Sequence, residues 1–236
     1  MTAIYKREMR SYFTSPVGYI FVAVFLAVSA FIFMDCTVQA GDKSNVAAYF
    51  MYILYIFIII IPLITMKLLS EERKMRTEQL ILTSPVSLFG MVFAKFLAAF
   101  TLFGGTFVIS SIIYYIPLAL YGTPNAASYI CSVLSVLLSG AAFIAIGVFI
   151  SSLTENQFIA ALGTIAAIIL LINISLLNNY INVEFLRVIF SSISFAARTE
   201  KFGSGILDYA SLVYFSSMTA LFLFLTVRAF EKRRWS

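Results

Sequence analysis

Six apolar runs, each long enough to cross a lipid bilayer as a helix, divide this chain: residues 17–34, 47–66, 93–120, 127–153, 157–177 and 206–227. Across all of them only Lys95 and Asp208 carry a charge, each within about a turn of an end. At ~1.5 Å per residue the first and shortest run reaches about 27 Å, against a hydrocarbon core of roughly 30 Å. The longer runs have length to tilt, bend or protrude. A segment in lipid must satisfy its own backbone polar groups, which leaves helices or a closed barrel. No period of two runs through these stretches, so a barrel is excluded and the chain reads as an all-α integral membrane protein with six transmembrane helices. A water-soluble core cannot absorb a composition that is 61% hydrophobic and 11% charged, when soluble domains carry roughly 25% charged residues.

The basic residues report orientation. With six spans, one side holds Lys6, Arg7, Arg10, Lys67, Arg73, Lys74, Arg76, Lys95, Arg228, Lys232, Arg233 and Arg234, and the other Lys43, Arg187, Arg198 and Lys201. The richer side is expected to be cytoplasmic, with both termini on it. The net charge of +5 does not indicate nucleic acid, because these residues mark segment ends and form no basic face interleaved with aromatics. The amino terminus imitates a secretory leader, but Glu8 and a long first run argue for a retained helix. Cys36 and Cys131 fall near segment ends on one side; a bridge between them stays open, beside the commoner role of small buried apolar residues. The chain has no histidine, and no metal site is arguable.

Two segments on the basic side are amphipathic and end alike. Residues 2–13 set Ile4, Met9, Tyr12 and Phe13 among Lys6, Arg7, Glu8 and Arg10, suiting a helix on the inner membrane surface, and end at Thr14-Ser15-Pro16-Val17. Residues 67–82 set Glu72 four before Arg76 and Lys74 four before Glu78, spacings at which charges meet on a helix, and end at Thr83-Ser84-Pro85-Val86. Pro16 and Pro85 mark corners, since proline disfavours helix before it and suits the first turn of the next, with Ser or Thr as cap. On the other side, residues 185–197 are apolar but too short to span, and an interfacial or re-entrant helix is expected there, a packed external loop being the plainer alternative.

Catalytic readings fail for want of partners. Glu71, Glu72 and Arg76 spell the EExxxR of a class of intramembrane proteases, but that chemistry calls for histidines on neighbouring helices. A nucleotide-hydrolysing chain needs a GxxxxGK[ST] loop, and none occurs. A secondary carrier or proton pump ordinarily sets ionisable groups in mid-membrane, and none lies between Lys95 and Glu155. The chain spans a membrane, shows no engine of its own, and offers a charged helix to an engine elsewhere.

The loop MKLLSEERKMRTEQLILTSPVSLFGMVFAKF resembles the segment between the second and third helices of type-2 ABC transporter permeases, nearest to the gliding-motility-type branch. YKREMRSYFTSPVGYIF, ISSLTENQFIAAL and FLFLTVRAFEKRRW agree in order, so the resemblance covers almost the whole chain. It implies the type-2 ABC exporter fold: one permease domain, an amphipathic connecting helix over residues 1–15, a cytoplasmic coupling helix over 70–84 and an external re-entrant segment over 183–204. It implies two copies of a separate ATP-binding cassette ATPase, which would carry ATP and Mg, a second permease chain as homo- or heterodimer, and a bacterial inner-membrane location. Glu71, Glu72, Arg73, Arg76 and Glu78 would meet the ATPase. The second and fifth spans would line the path through Tyr52, Tyr55, Phe57, Met66 and Asn173. The competing readings are an ATP-independent channel or carrier, and a membrane scaffold that transports nothing.

Overall fold

The structure, a computed structural model, describes residues 1–39, 47–75, 87–121, 124–174, 194–203 and 208–234. Among these residues the regular structure is entirely helical. It comprises α1 (Thr2–Thr14), α2 (Pro16–Phe33) with a π-helical extension at Met34–Gln39, α3 (Ala47–Thr65), α4 (Ser70–Lys74), α5 (Leu88–Tyr121), α6 (Ala126–Leu153), α7 (Gln157–Asn173), α8 (Phe195–Gly203) and α9 (Tyr209–Arg234). Five stretches are long and apolar enough to cross a membrane: Pro16–Thr37, Ala48–Lys74, Leu88–Leu120, Ala126–Leu153 and Tyr209–Arg233. The fifth of the six apolar runs yields the shorter α7, whose 17 residues reach about 26 Å; residues 175–177 of that run lie outside the described residues. Two runs extend beyond the sequence-based bounds, α5 beginning at Leu88 and α9 continuing to Arg234. Backbone hydrogen bonding continues a helix past the point where its side chains stop being apolar.

Local chemistry fixes the corners. Ser15 is extended, its hydroxyl accepts from the Val17 N–H, and Pro16 takes the first position of α2, where the missing N–H removes nothing from the helix. Gly18 faces the Tyr12 carbonyl so closely that any side chain would collide with backbone. Asn125 caps α6 by accepting from Ala127 and Ser128, and Asn156 caps α7 by accepting from Phe158. Asp208 accepts from the Ala210 N–H and the Ser211 hydroxyl at the head of α9. Cys36 is half-buried, Cys131 is buried, and the two are not bridged to each other.

Helix α6 is the hub, packing against α3, α5, α7, α8 and α9. Lipid tails are as apolar as leucine, so close van der Waals approach, rather than removal of apolar surface from water, holds such helices together. Its sequence supplies that approach with buried Ser132, Ser135, Ser139, Gly140, Ala142, Ala145, Gly147 and Ser151. At Gly147 the α3 residue Thr65 occupies the space a side chain would need. A line of rings then crosses the bundle: Phe103 of α5 against Phe57 of α3 at 5.2 Å, Phe57 against Phe143 of α6 at 6.1 Å, Phe143 stacked on Phe195 of α8 at 4.5 Å, and Phe195 against Phe215 of α9 at 5.2 Å. Residue 195 is the first of α8, so this short helix enters the bundle with its leading end.

Replacing Gly147 with Val drives two methyl groups into Thr65 and is expected to destabilise the protein by about 1–3 kcal/mol. Gly105, with open space around it, accepts Ala without such a loss. Thermal unfolding of both variants in lipid nanodiscs checks the contrast.

Candidate functional site

The end of the bundle that carries α1, α4 and the last residues of α9 holds, among the described residues, a ring of four charges. Lys95, on the second turn of α5, is 1% exposed, and its Nζ lies 3.1 Å from Glu8 Oε1 of α1 and 2.9 Å from Glu72 Oε1 of α4. The Arg7 guanidinium meets the same two oxygens at 2.7 and 2.6 Å. Cation and anion alternate around the ring, which is neutral as a whole. The Glu8 and Glu72 side chains are 13% and 17% exposed and Arg7 is 55% exposed, so the ring runs from solvent at Arg7 to full burial at Lys95. An ammonium this deep is tolerable only with its charge matched and its protons used. The third bond goes to the Leu68 carbonyl at 2.8 Å.

That carbonyl belongs to the irregular stretch 66–69 between α3 and α4, where the helix end leaves acceptors without N–H partners. Leu68 N bonds back to Thr65 O at 3.2 Å, a tighter turn than an α-helix makes, and frees Ile64 O, which the buried Tyr12 hydroxyl takes at 3.1 Å. Met66 O accepts from the Ser70 hydroxyl and, at 3.2 Å, from Ser151 of α6. Ser151 Oγ in turn accepts from the N–H groups of Leu69 and Ser70 at 3.3 and 3.1 Å. Three elements besides its own thus hold this buried turn, and the Lys95 cation sits at the negative end of the α3 dipole.

Helix α4 is also pinned to the α6–α7 turn. Arg73 donates to the Leu153 carbonyl at 2.8 Å and pairs with Glu155 at 3.0 Å, while Arg233 of α9 donates to the Ser152 carbonyl. Glu72 and Arg73, expected from the sequence to meet a partner, are therefore engaged within this chain. Glu71 is exposed and lines, with Ser11, Ser15 and Lys67, a polar recess of about 110 Å³ beside the ring. Lys74 is exposed, and a more open hollow of about 590 Å³ is lined by Met66, Lys74, Glu155, Asn156, Gln157 and Phe158. Arg76, Glu78 and Pro85 lie outside the described residues. On α3, Tyr52 and Tyr55 are exposed, whereas Phe57 turns inward to Phe103 and Phe143. The Asn173 amide donates to the Ile169 carbonyl of its own helix at 3.0 Å.

Sequence reasoning missed the ring, although Lys95 stood out as the one cation in an apolar run and Glu8 as the acid in a basic leader. The usable signal was that a charge inside an apolar run must have a counter-charge somewhere in the fold.

The geometry so far defines a multi-pass helical membrane protein with a built, charged face at one end. The chain matches the model of the ABC-2 family transporter proteins over residues 35–228, and it belongs to that family of transporter permeases. The match takes in Glu72, Lys95 and the α6–α7 turn and begins after α2. None of the curated proteins searched matches the chain. Membership makes this a membrane transport subunit of an ABC transporter, of a kind that is normally non-catalytic and partners an ATP-binding subunit.

Burial alone would push the Glu8 carboxyl up; Lys95, joined by Arg7, outweighs it and holds the group below its ordinary value of 4.5. Burial opposes the Arg7 charge, but Glu8 and Glu72 hold the guanidinium more firmly protonated than usual. A carboxyl depressed on folding contributes stability above its unfolded value and loses it as pH falls toward the folded one. Wild type should therefore lose thermal stability as pH drops below about 4.5, and Glu8→Gln should flatten that dependence. Lys95→Met, which leaves two buried carboxylates facing one guanidinium, should cost about 3–5 kcal/mol at neutral pH, read as a lowered unfolding temperature in nanodiscs.

Proposed function

We propose that this chain is the permease subunit of an ATP-driven exporter and takes up, through the segment that includes α4, movement generated by a separate cassette ATPase. The carrying observation is the conjunction of membership in the ABC-2 family with the way 66–74 is built. A short charged helix, joined by side chains to α1, α5, α6 and the α6–α7 turn, is suited to receiving force at one end of the bundle. Glu71 and Lys74, on its exposed side, are the described residues best disposed to meet a partner, with the hollow next to Glu155 and Phe158 alongside. Arg76 and Glu78 remain candidates for the same contact, with residues 70–84 as the coupling helix and Pro85 as the corner after it.

The remaining parts of the reading are coherent with this. The basic end faces the cytoplasm of a bacterial inner membrane, since a six-span reading of the sequence puts twelve of the sixteen lysines and arginines on that side. α7 serves as the sixth span, a small mismatch being met by local thinning of the bilayer or by residues beyond Asn173. α8, whose Phe195 stacks on Phe143 well down α6, is the inner limb of a re-entrant external segment. Two such chains, or one with a related permease, enclose the path, and the exposed α3 face with Tyr52 and Tyr55 supports a lining role for those residues in preference to Phe57. Two ATPase copies bring ATP and Mg. Outward transport and the gliding-motility-type branch rest on the sequence resemblance.

Purification of the tagged chain from its native membrane is the test. A cassette ATPase is expected to co-purify, and reversing both exposed charges, Glu71→Lys with Lys74→Glu, is expected to lower its recovery severalfold without lowering the amount of folded permease. A chain that purifies without any ATPase and carries solute across liposomes along an ion gradient would overturn the reading in favour of a carrier. Membership of a complex whose ATPase no candidate solute stimulates would favour a scaffold.

A further inference from the structure

We infer that Lys95 is a positioning residue that locks α4 to the spanning helix α5, with α1 as a self-neutral clasp over the pair. Sorting the ring's charges by helix gives this asymmetry. α4 contributes the Glu72 carboxylate, α5 the Lys95 ammonium, and α1 both members of an ion pair, Arg7 and Glu8, whose side chains meet at 2.7 Å. Withdrawing α4 alone strands one net positive charge around a buried ammonium. Withdrawing α1 removes a neutral pair and leaves Lys95 and Glu72 still matched at 2.9 Å. The first separation is opposed by the poor solvation of an unmatched charge in a low-dielectric site, and the second is not.

The consequence is mechanical. α4 is joined to α3 by the chain, through a turn that Lys95 also caps, so displacement of α4 reaches α5 as directly as α3. α1 follows through the Arg7–Glu72 and Lys95–Glu8 contacts and through Tyr12 on Ile64, yet it is the member that can slide without stranding charge. That the displacement comes from an ATPase rests on the permease reading above; the lock itself does not.

Hydrogen exchange on the full chain in lipid nanodiscs, with no partner present, tests the asymmetry. Lys95→Met and Glu72→Gln should each speed exchange of the 66–74 amides by about tenfold, the size expected of coupling within one ion-pair network, while Arg7→Gln combined with Glu8→Gln, which removes the neutral α1 pair, should speed them about threefold or less. Lys95→Arg, which keeps the charge, should restore much of the protection. Equal acceleration by the Arg7→Gln, Glu8→Gln double variant and by Glu72→Gln, or unchanged 66–74 exchange in Lys95→Met, would overturn the lock. Should Lys95→Met fail to fold, Lys95→Met combined with Glu72→Gln buries no unmatched charge and must still exchange rapidly over 66–74; wild-type protection there would overturn the inference. Absence of a co-purifying ATPase would remove the permease reading and leave these outcomes unaffected.

Discussion

A lysine ammonium that is almost wholly buried at the edge of a membrane-spanning bundle dictates much of what surrounds it. Lys95 needs its charge matched and its protons accepted, and three segments meet around it to do so: Glu8 from the amino-terminal helix, Glu72 from the short helix after α3, and the Leu68 carbonyl from the turn between α3 and α4. The same contact supplies an acceptor-rich helix end with a cation. Arg7 closes the ring toward solvent, where its partial exposure lets it hold both carboxylates without a comparable desolvation penalty.

Away from this end the bundle depends on a different kind of interaction. In lipid no hydrophobic effect drives helices together, so stability comes from how closely they approach. The small residues of α6 let its neighbours pack closely, and the Phe103–Phe57–Phe143–Phe195–Phe215 line ties α3, α5, α6, α8 and α9 through stacked, tilted and edge-on rings. Many hydroxyls within the apolar helices, such as Thr65, Thr106 and Thr164, donate to carbonyls one turn back in their own helices. At the charged end, ion pairs between helices add a charge-matched kind of contact to this packing.

How much of this was legible in the sequence depended on the range of the interaction concerned. Apolar length and local caps are short-range features, so the runs, the Ser15–Pro16 corner and the helical class could be read directly. The inner and outer faces of a span could not, because a helix that is apolar all round carries no period to distinguish Phe57, which is buried, from Tyr52 and Tyr55, which are not. The charge ring was hidden for a related reason. The i, i+4 rule directs attention from Glu72 along its own helix to Arg76 and gives no hint of Arg7 and Lys95, which pair with it from other helices. Only the folded arrangement of α1, α4 and α5 brings those charges together. Glu72 and Arg73 hold α4 to the bundle through partners on other elements, and Glu71 and Lys74 are exposed.

The central claim is that Lys95 and Glu72 depend on each other, and a double-mutant cycle on thermal unfolding measures that dependence directly. With Lys95→Met, Glu72→Gln and the combined variant compared in the same nanodiscs, the account predicts strong non-additivity. The combined variant should be at least as stable as Lys95→Met alone, because the second substitution removes the carboxylate that the first left unmatched. Losses that simply add, with the combined variant the least stable of the three by the sum of the single effects, would contradict it.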